Sequence, residues 1–262
     1  PKRMLAAVPL AMLRRERRVR MPQFWHVLCV SQAIRQDLAE RAGISLERSR
    51  VVYNGIDTGQ FSPPSDWDPS VWRNGRPAFL CAGSLLRHKG VHTAIEGFAR
   101  ATFQTDLGHA YLTVVGDGDP AYENHLRQMT RDLGVAAQVH FVGRVERNRV
   151  PVVLRQHDCL LLPTWYEALP RMMQEAMACG LVVVGTTTGG SKELLVENET
   201  GLIFEPEDAE GLARQIVRVV GDPELRARLA HAGRQAVLEK FTLERMVDEI
   251  EGYLANVVSQ PE

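Results

Sequence analysis

Cysteine is scarce and scattered. The 262-residue chain holds four, Cys29, Cys81, Cys159 and Cys179, at spacings that exclude a paired zinc or redox motif. Three sit inside or beside apolar runs, so they read as buried thiols of a reducing compartment. Long apolar runs are missing as well. No stretch approaches the roughly 18 residues of a membrane-spanning helix, and no secretory leader pattern is visible, which predicts a soluble, cytoplasmic protein. A net charge of −1 supplies no global attraction to nucleic acid, and no such partner is expected. Internal repeats and low-complexity tracts are absent. What remains is a chain with 45% hydrophobic residues, enough to bury a core of one large or two small domains.

Charge is uneven along that chain. The first 50 residues hold 11 Lys and Arg against 4 Asp and Glu, and the remainder holds 20 against 28. Within 1–25, Arg14, Arg15, Arg17, Arg18 and Arg20 crowd one segment. The beginning of the chain therefore presents a different surface from the rest.

Short apolar runs separated by helical patterns give the organisation. Val27–Val30 and Val51–Tyr53 read as strands. Between them Ser31 is a suitable N-cap and Gly43 a suitable stop for a helix. Residues 58–77, rich in Pro, Ser, Asp and Trp and without periodicity, read as a linker. Strands are predicted at Phe79–Ala82, Tyr111–Val115, Val139–Val142, Cys159–Leu162, Leu181–Val184 and Leu202–Phe204. Helical patterns lie near 91–103, 121–133, 147–156, 171–179, 190–197, 207–220, 223–239 and 243–257. Apolar strands alternating with helices predict an α/β fold with a doubly wound parallel sheet, Rossmann-like, whose ligands bind beyond the carboxyl ends of the strands.

One such end carries Glu167-Ala168-Leu169-Pro170, leading into a helix that is expected to open near Pro170 and stop at Gly180. Glu167 and Glu175 would lie about 12 Å apart if helical rise held between them. After the first strand of the sheet comes Gly83-Ser84-Leu85-Leu86-Arg87-His88-Lys89-Gly90, a Gly-rich turn with cations before a helix start, which is a natural anion cradle. Val115-Gly116-Asp117-Gly118-Asp119 and Val142-Gly143-Arg144-Val145 follow the next two strands. The acidic pair Asp117 and Asp119 reads as solvated, and no metal is expected.

These segments, in this order over residues 27–257, resemble the retaining GT-B glycosyltransferases of family 4, the glycosyl transferases group 1. Glu167 and Glu175 resemble that family's Glu-x7-Glu motif, followed by Ala176-Met177-Ala178-Cys179-Gly180. The resemblance implies a GT-B-type donor-binding domain at 78–241, a C-terminal remnant of the acceptor-side domain at 1–57, a linker at 58–77 and a crossover helix at 242–262. It implies retaining transfer of a hexose from a nucleotide diphosphate sugar to an acceptor hydroxyl, with no metal and no cofactor other than the donor substrate. Glu167 and Lys89 would be catalytic. Gly83, Ser84, Arg87, Gly116, Gly143, Arg144, Val145, Ala168, Leu169 and Glu175 would bind the donor, Glu175 through the ribose hydroxyls.

Two departures stand out. Where the family has Gly-Arg-Leu-x-x-x-Lys-Gly, Ser84 replaces the arginine that helps grip the diphosphate, and Arg87 or His88 is a candidate substitute from the same loop. Where the family usually has Glu-Gly-Phe-Gly, Pro170 removes one backbone N–H.

Most of the acceptor-side domain that the resemblance implies is not in this sequence. The expectation is a fragment of a longer transferase. The alternative is a non-catalytic nucleotide-sugar binding half that needs a partner chain to supply the missing domain. Paired carboxylates also suit a glycosidase, but those face one bond at about 5 to 9.5 Å, closer than the helical spacing allows. The basic residues of 1–25 suggest either a peripheral contact with the inner membrane face or a lipid-linked acceptor, or the solvated surface of an ordinary helix.

Overall fold

The computed structural model describes residues 26–105 and 107–259. The basic segment 1–25 lies outside them. The described chain opens with a small parallel unit: β1 (Val27–Cys29), α1 (Gln32–Ala42) and β2 (Ser49–Val51), with β1 and β2 in register from Val27 opposite Ser49. As its sequence suggests, α1 is capped by the Ser31 hydroxyl, which accepts from the Ile34 N–H, and closed by left-handed Gly43.

The main sheet follows. Its strands are β3 (Ala78–Ala82), β4 (Tyr111–Val115), β5 (Val139–Gly143), β6 (Cys159–Leu162), β7 (Val182–Gly185) and β8 (Leu202–Ile203). The helices are α2 (Val91–Gln104), α3 (Pro120–Asp132), α4 (Val150–Arg155), α5 (Arg171–Ala178), α6 (Ala209–Gly221), α7 (Pro223–Lys240) and α8 (Leu243–Ser259). All six strands are parallel, in the order β5-β4-β3-β6-β7-β8. The chain runs outward one way from β3 through β5 and returns to β6 to run the other way. The crevice between β3 and β6 is therefore the place where the two halves of the sheet diverge and ligands bind.

Both faces of this sheet are covered, which is why its strands are near-continuous apolar runs. Side chains alternate between two cores. Phe79, Leu112, Val114, Leu161 and Val184 pack with Ile95, Phe98, Leu212 and Ile216 on one face. Leu80, Leu160, Leu162 and Val183 pack with Leu154, Met173, Met177 and Val237 on the other.

Three expected helices differ in detail. Helix 171–179 begins at Arg171 because Pro170 is extended (φ −74°, ψ 105°) and sits outside it as the N-cap. The pattern at 147–156 divides into a 3-10 turn, Arg147–Arg149, and the short α4 beginning at Val150 with Pro151 in its first turn. The pattern at 190–197 yields only a 3-10 turn, Gly189–Glu193. There Gly189 is left-handed (φ 60°) and the Gly190 N–H goes to the Glu167 carbonyl instead of a helical partner, at 2.9 Å.

The segment 58–77 contains no helix or strand, yet it is firmly attached to the amino ends of the sheet. The Arg73 guanidinium donates to the carbonyls of Arg155, Cys179 and Gly180 at 3.0–3.2 Å. The Asp158 carboxylate accepts from the backbone N–H groups of Arg73 (3.1 Å) and Ala78 (3.0 Å). Arg226 donates to the Pro69 carbonyl and lies 3.7 Å from the centre of the Trp72 ring. At the far end, α8 returns to the first unit, with Ile56 and Leu243 exchanging backbone bonds with Phe241 and Ile56 at 3.0 Å. Thr242 caps α8 through the Arg245 N–H.

Asp158 is the point on which that attachment turns, since removing it takes the carboxylate from beside the largely buried Arg73 guanidinium and leaves two backbone donors unpaired. Asp158→Ala is expected to destabilise the protein by about 3 kcal/mol. Urea unfolding followed by tryptophan fluorescence, to which Trp67 and Trp72 contribute, measures this.

Candidate functional site

The site forms where the loop after β3 meets the loop after β6. The two are stitched by backbone. The Trp165 N–H donates to the His88 carbonyl at 2.9 Å, and the Thr164 hydroxyl reaches the same oxygen at 3.4 Å. Gly90 is left-handed (φ 69°), and a Cβ added to it would fall 2.0 Å from the Pro163 carbonyl oxygen. Only glycine permits both the backbone turn and this approach.

Lys89 immediately precedes that crossing, and the stitch delivers its Nζ to Glu167 Oε1 at 2.5 Å. The pair borders a cavity of about 270 Å³, whose lining includes Gly83, Ser84, Lys89, Thr164, Glu167 and Arg171. Cys81 also lines it, but burial pushes its thiol up to about 12, so it is a neutral wall rather than a nucleophile. The Glu167 carbonyl is held from below by Gly190, as noted above. Ala168 is half-buried, and the Leu169 side chain enters the second core, leaving its backbone as the part that faces the loop.

Glu175 lies further along α5. Helical rise does not hold between Glu167 and Glu175, because the helix begins only at Arg171. The Glu175 side chain is 1% exposed. Its Oε1 accepts from Arg171 Nε at 3.0 Å and pairs with an Arg147 guanidinium nitrogen at 2.6 Å. Its Oε2 is buried without a donor among the described residues. A buried carboxylate oxygen left in this state calls for hydroxyl or N–H donors from water or a ligand.

The remaining predicted residues divide. Gly116 lies against Gly83: a Cβ there would fall 1.8 Å from the Gly83 carbonyl oxygen. Its N–H donates to the Gly143 carbonyl at 2.8 Å. Gly83, Gly116 and Gly143 thus form a row at the ends of β3, β4 and β5. Arg87 and His88 are exposed and fall outside the cavity lining, as do Arg144 and the half-buried Val145.

Three further residues take part in the site's arrangement. Arg171 stands four residues before Glu175, so the helical i, i+4 pairing was open to sequence reasoning. Arg147 comes from the loop after β5 and has no local signal. Glu193 reads in the sequence as part of a Gly-Gly loop, but its carboxylate accepts from the N–H groups of Gln32 (3.0 Å) and Ala33 (3.1 Å) and from the Tyr53 hydroxyl (2.8 Å). It therefore ties the turn beneath Glu167 to the start of α1. Burial, reinforced by the bond to Glu193, raises the Tyr53 phenol to about 12, so that bond persists throughout the neutral range.

Gly90→Ala is expected to destabilise the fold by at least about 2 kcal/mol, from the left-handed backbone and the collision with Pro163. Chemical denaturation measures the loss.

Comparison with known proteins agrees with this geometry. Residues 66–236 match the family described as glycosyl transferases group 1, and residues 5–60 match Glycosyltransferase Family 4. The lipopolysaccharide core biosynthesis glycosyltransferase LpsE of Rhizobium meliloti is 32% identical over 212 residues, 81% of this chain and 55% of that protein. Glycogen synthase of Mycobacterium tuberculosis is 30% identical over 215 residues, 82% of this chain and 50% of that protein. The chain thus spans about half the length of these curated relatives. Among solved structures, Anabaena HepE in complex with UDP and glucose superposes with a TM-score of 0.77 at 25% identity, covering 88% of this chain and 62% of that one. Sucrose-phosphate synthase of Thermosynechococcus elongatus does so with a TM-score of 0.76 at 25% identity, covering 89% and 58%. With the group 1 match extending over more than half of its length and across every strand of the main sheet, this chain belongs to the glycosyl transferases group 1 and carries their GT-B-type fold.

Proposed function

We propose that this chain forms the donor side of a retaining glycosyltransferase that moves a hexose from a nucleoside diphosphate sugar to an acceptor hydroxyl. The observation that carries the reading is the arrangement of Lys89 and Glu167 at the mouth of the β3–β6 crevice, with the unsatisfied oxygen of Glu175 deeper along α5. A nucleoside diphosphate sugar has groups to match. Its ribose diol supplies donors for Glu175 Oε2, its diphosphate meets Lys89 and the amino end of α5, and its sugar lies at Glu167. HepE, superposed above, holds UDP and glucose in its crystal, which supports the same ligand class here.

The chemistry follows from those positions. The bond from the anomeric carbon to the diphosphate oxygen breaks as an acceptor oxygen attacks from the same face, and the acceptor proton passes to the departing diphosphate. Charge accumulates on the leaving oxygen, and Lys89 is placed to stabilise it. Glu167 orients sugar hydroxyls and stabilises positive charge developing at the anomeric carbon. The reading uses no metal and no further cofactor. Pro170 removes one N–H from the turn before α5, leaving Arg171 and Met172 as the first donors of that helix.

Calorimetric titration with UDP, GDP and ADP tests the proposal. One of the three is expected to bind, and Lys89→Ala or Glu175→Ala should weaken that binding by about 10- to 100-fold, the worth of a charge-assisted contact. Failure of the unaltered protein to bind any of them would sink the reading.

A further inference from the structure

The charges around the cavity do not balance, and the imbalance resides on one residue. Lys89 and Glu167 neutralise each other. Glu175 has two guanidinium partners on a single oxygen, Arg147 at 2.6 Å and Arg171 at 3.0 Å, so one of them is surplus to neutralising it. The two arginines are not equivalent. Arg147 lies beside the Phe61 ring, 5.3 Å from its centre, and is not part of the cavity lining. Arg171 lines the cavity with Ser84, Lys89 and Glu167; both arginine side chains are half-exposed, so position and not exposure separates them. It is also the first residue of the eight-residue α5, and its guanidinium reaches one turn along that helix to Glu175.

We propose that Arg171 is the second cation of the diphosphate cradle, occupying the role that Ser84 cannot fill. The inference rests on the donor-binding reading above and adds to it the residue that contacts the phosphate next to the sugar. That phosphate is assigned because the cavity Arg171 lines is the end of the site containing Glu167, whereas Glu175 serves the ribose. When the donor enters, Arg171 exchanges the Glu175 oxygen for a phosphate oxygen. Glu175 stays neutralised by Arg147 and keeps its oxygens for hydroxyls. An arginine is suited to this exchange because its fork holds either carboxylate or phosphate without losing charge.

The test is a cycle of Arg171→Gln, Ser84→Arg and the double variant. Each is titrated with UDP, GDP and ADP and with the matching monophosphates UMP, GMP and AMP. Arg171→Gln is expected to weaken the diphosphate that binds by about 10- to 100-fold, to leave its monophosphate within about twofold, and to be largely restored by adding Ser84→Arg. Equal losses for monophosphate and diphosphate would mean that Arg171 only positions Glu175, and would overturn the assignment. Undiminished diphosphate binding in Arg171→Gln would overturn it too, while leaving the donor site itself standing. If the unaltered protein binds no diphosphate, both readings fall together.

Discussion

The close passage of two loops at the carboxyl ends of β3 and β6 is the constraint on which the site depends. A parallel sheet that reverses direction at this point leaves a crevice, but a crevice does not by itself bring a lysine onto a glutamate 78 residues away. That is accomplished by backbone: Gly90 under the Pro163 carbonyl and the bond from Trp165 to His88. These contacts involve main-chain atoms of the two loops, so the backbone positions of Lys89 and Glu167 are set by the chain's path rather than by mobile side chains. A site built this way is preorganised, and preorganised charge is the form of electrostatic stabilisation that needs no rearrangement as a reaction proceeds.

The charged groups around the cavity are arranged as exchangeable pairs. Lys89 pairs with Glu167, and Glu175 pairs with two arginines, so both carboxylates are compensated and one positive charge is left over. Burying Glu175 almost completely would be costly alone, and its two guanidinium partners offset that cost through one oxygen. The other oxygen has no donor among the described residues. Replacement of the family's arginine by Ser84 belongs to the same pattern. Positive charge at a phosphate site need not come from one fixed position, because several loops converge on the crevice.

Glu193 extends this organisation beyond the main sheet. Its carboxylate sits at the N-terminus of α1, where free N–H groups and the helix dipole favour an anion. The same 3-10 turn presents Gly190 to the Glu167 carbonyl. One short turn thus touches both the loop bearing Glu167 and the β1–α1–β2 unit. Displacement of that unit relative to the sheet would be felt at Glu167 through a path of four hydrogen bonds.

The parallel sheet was legible in the residues because two-sided burial demands apolar runs such as Cys159–Leu162, and local capping chemistry marked Ser31 and Gly43 as boundaries. The family was legible because Lys89, Glu167 and Glu175 recur in a fixed order with glycines at the strand ends. Other features had no local signature. The Gly-Gly segment at 189 carried helical periodicity but became a 3-10 turn, since a long-range bond to Glu167 outweighed a weak local preference. Residues 58–77 looked like a free linker, yet Asp158, Arg155 and Arg226, all remote in sequence, hold them to the sheet. Arg147 and Glu193 likewise find their partners across the fold. Backbone propensity and hydrophobic period are properties of neighbouring residues and survive in a string of letters. The pairing of a charge with its partner depends on which strand ends the topology places side by side, and that is settled only when the sheet has closed around its core.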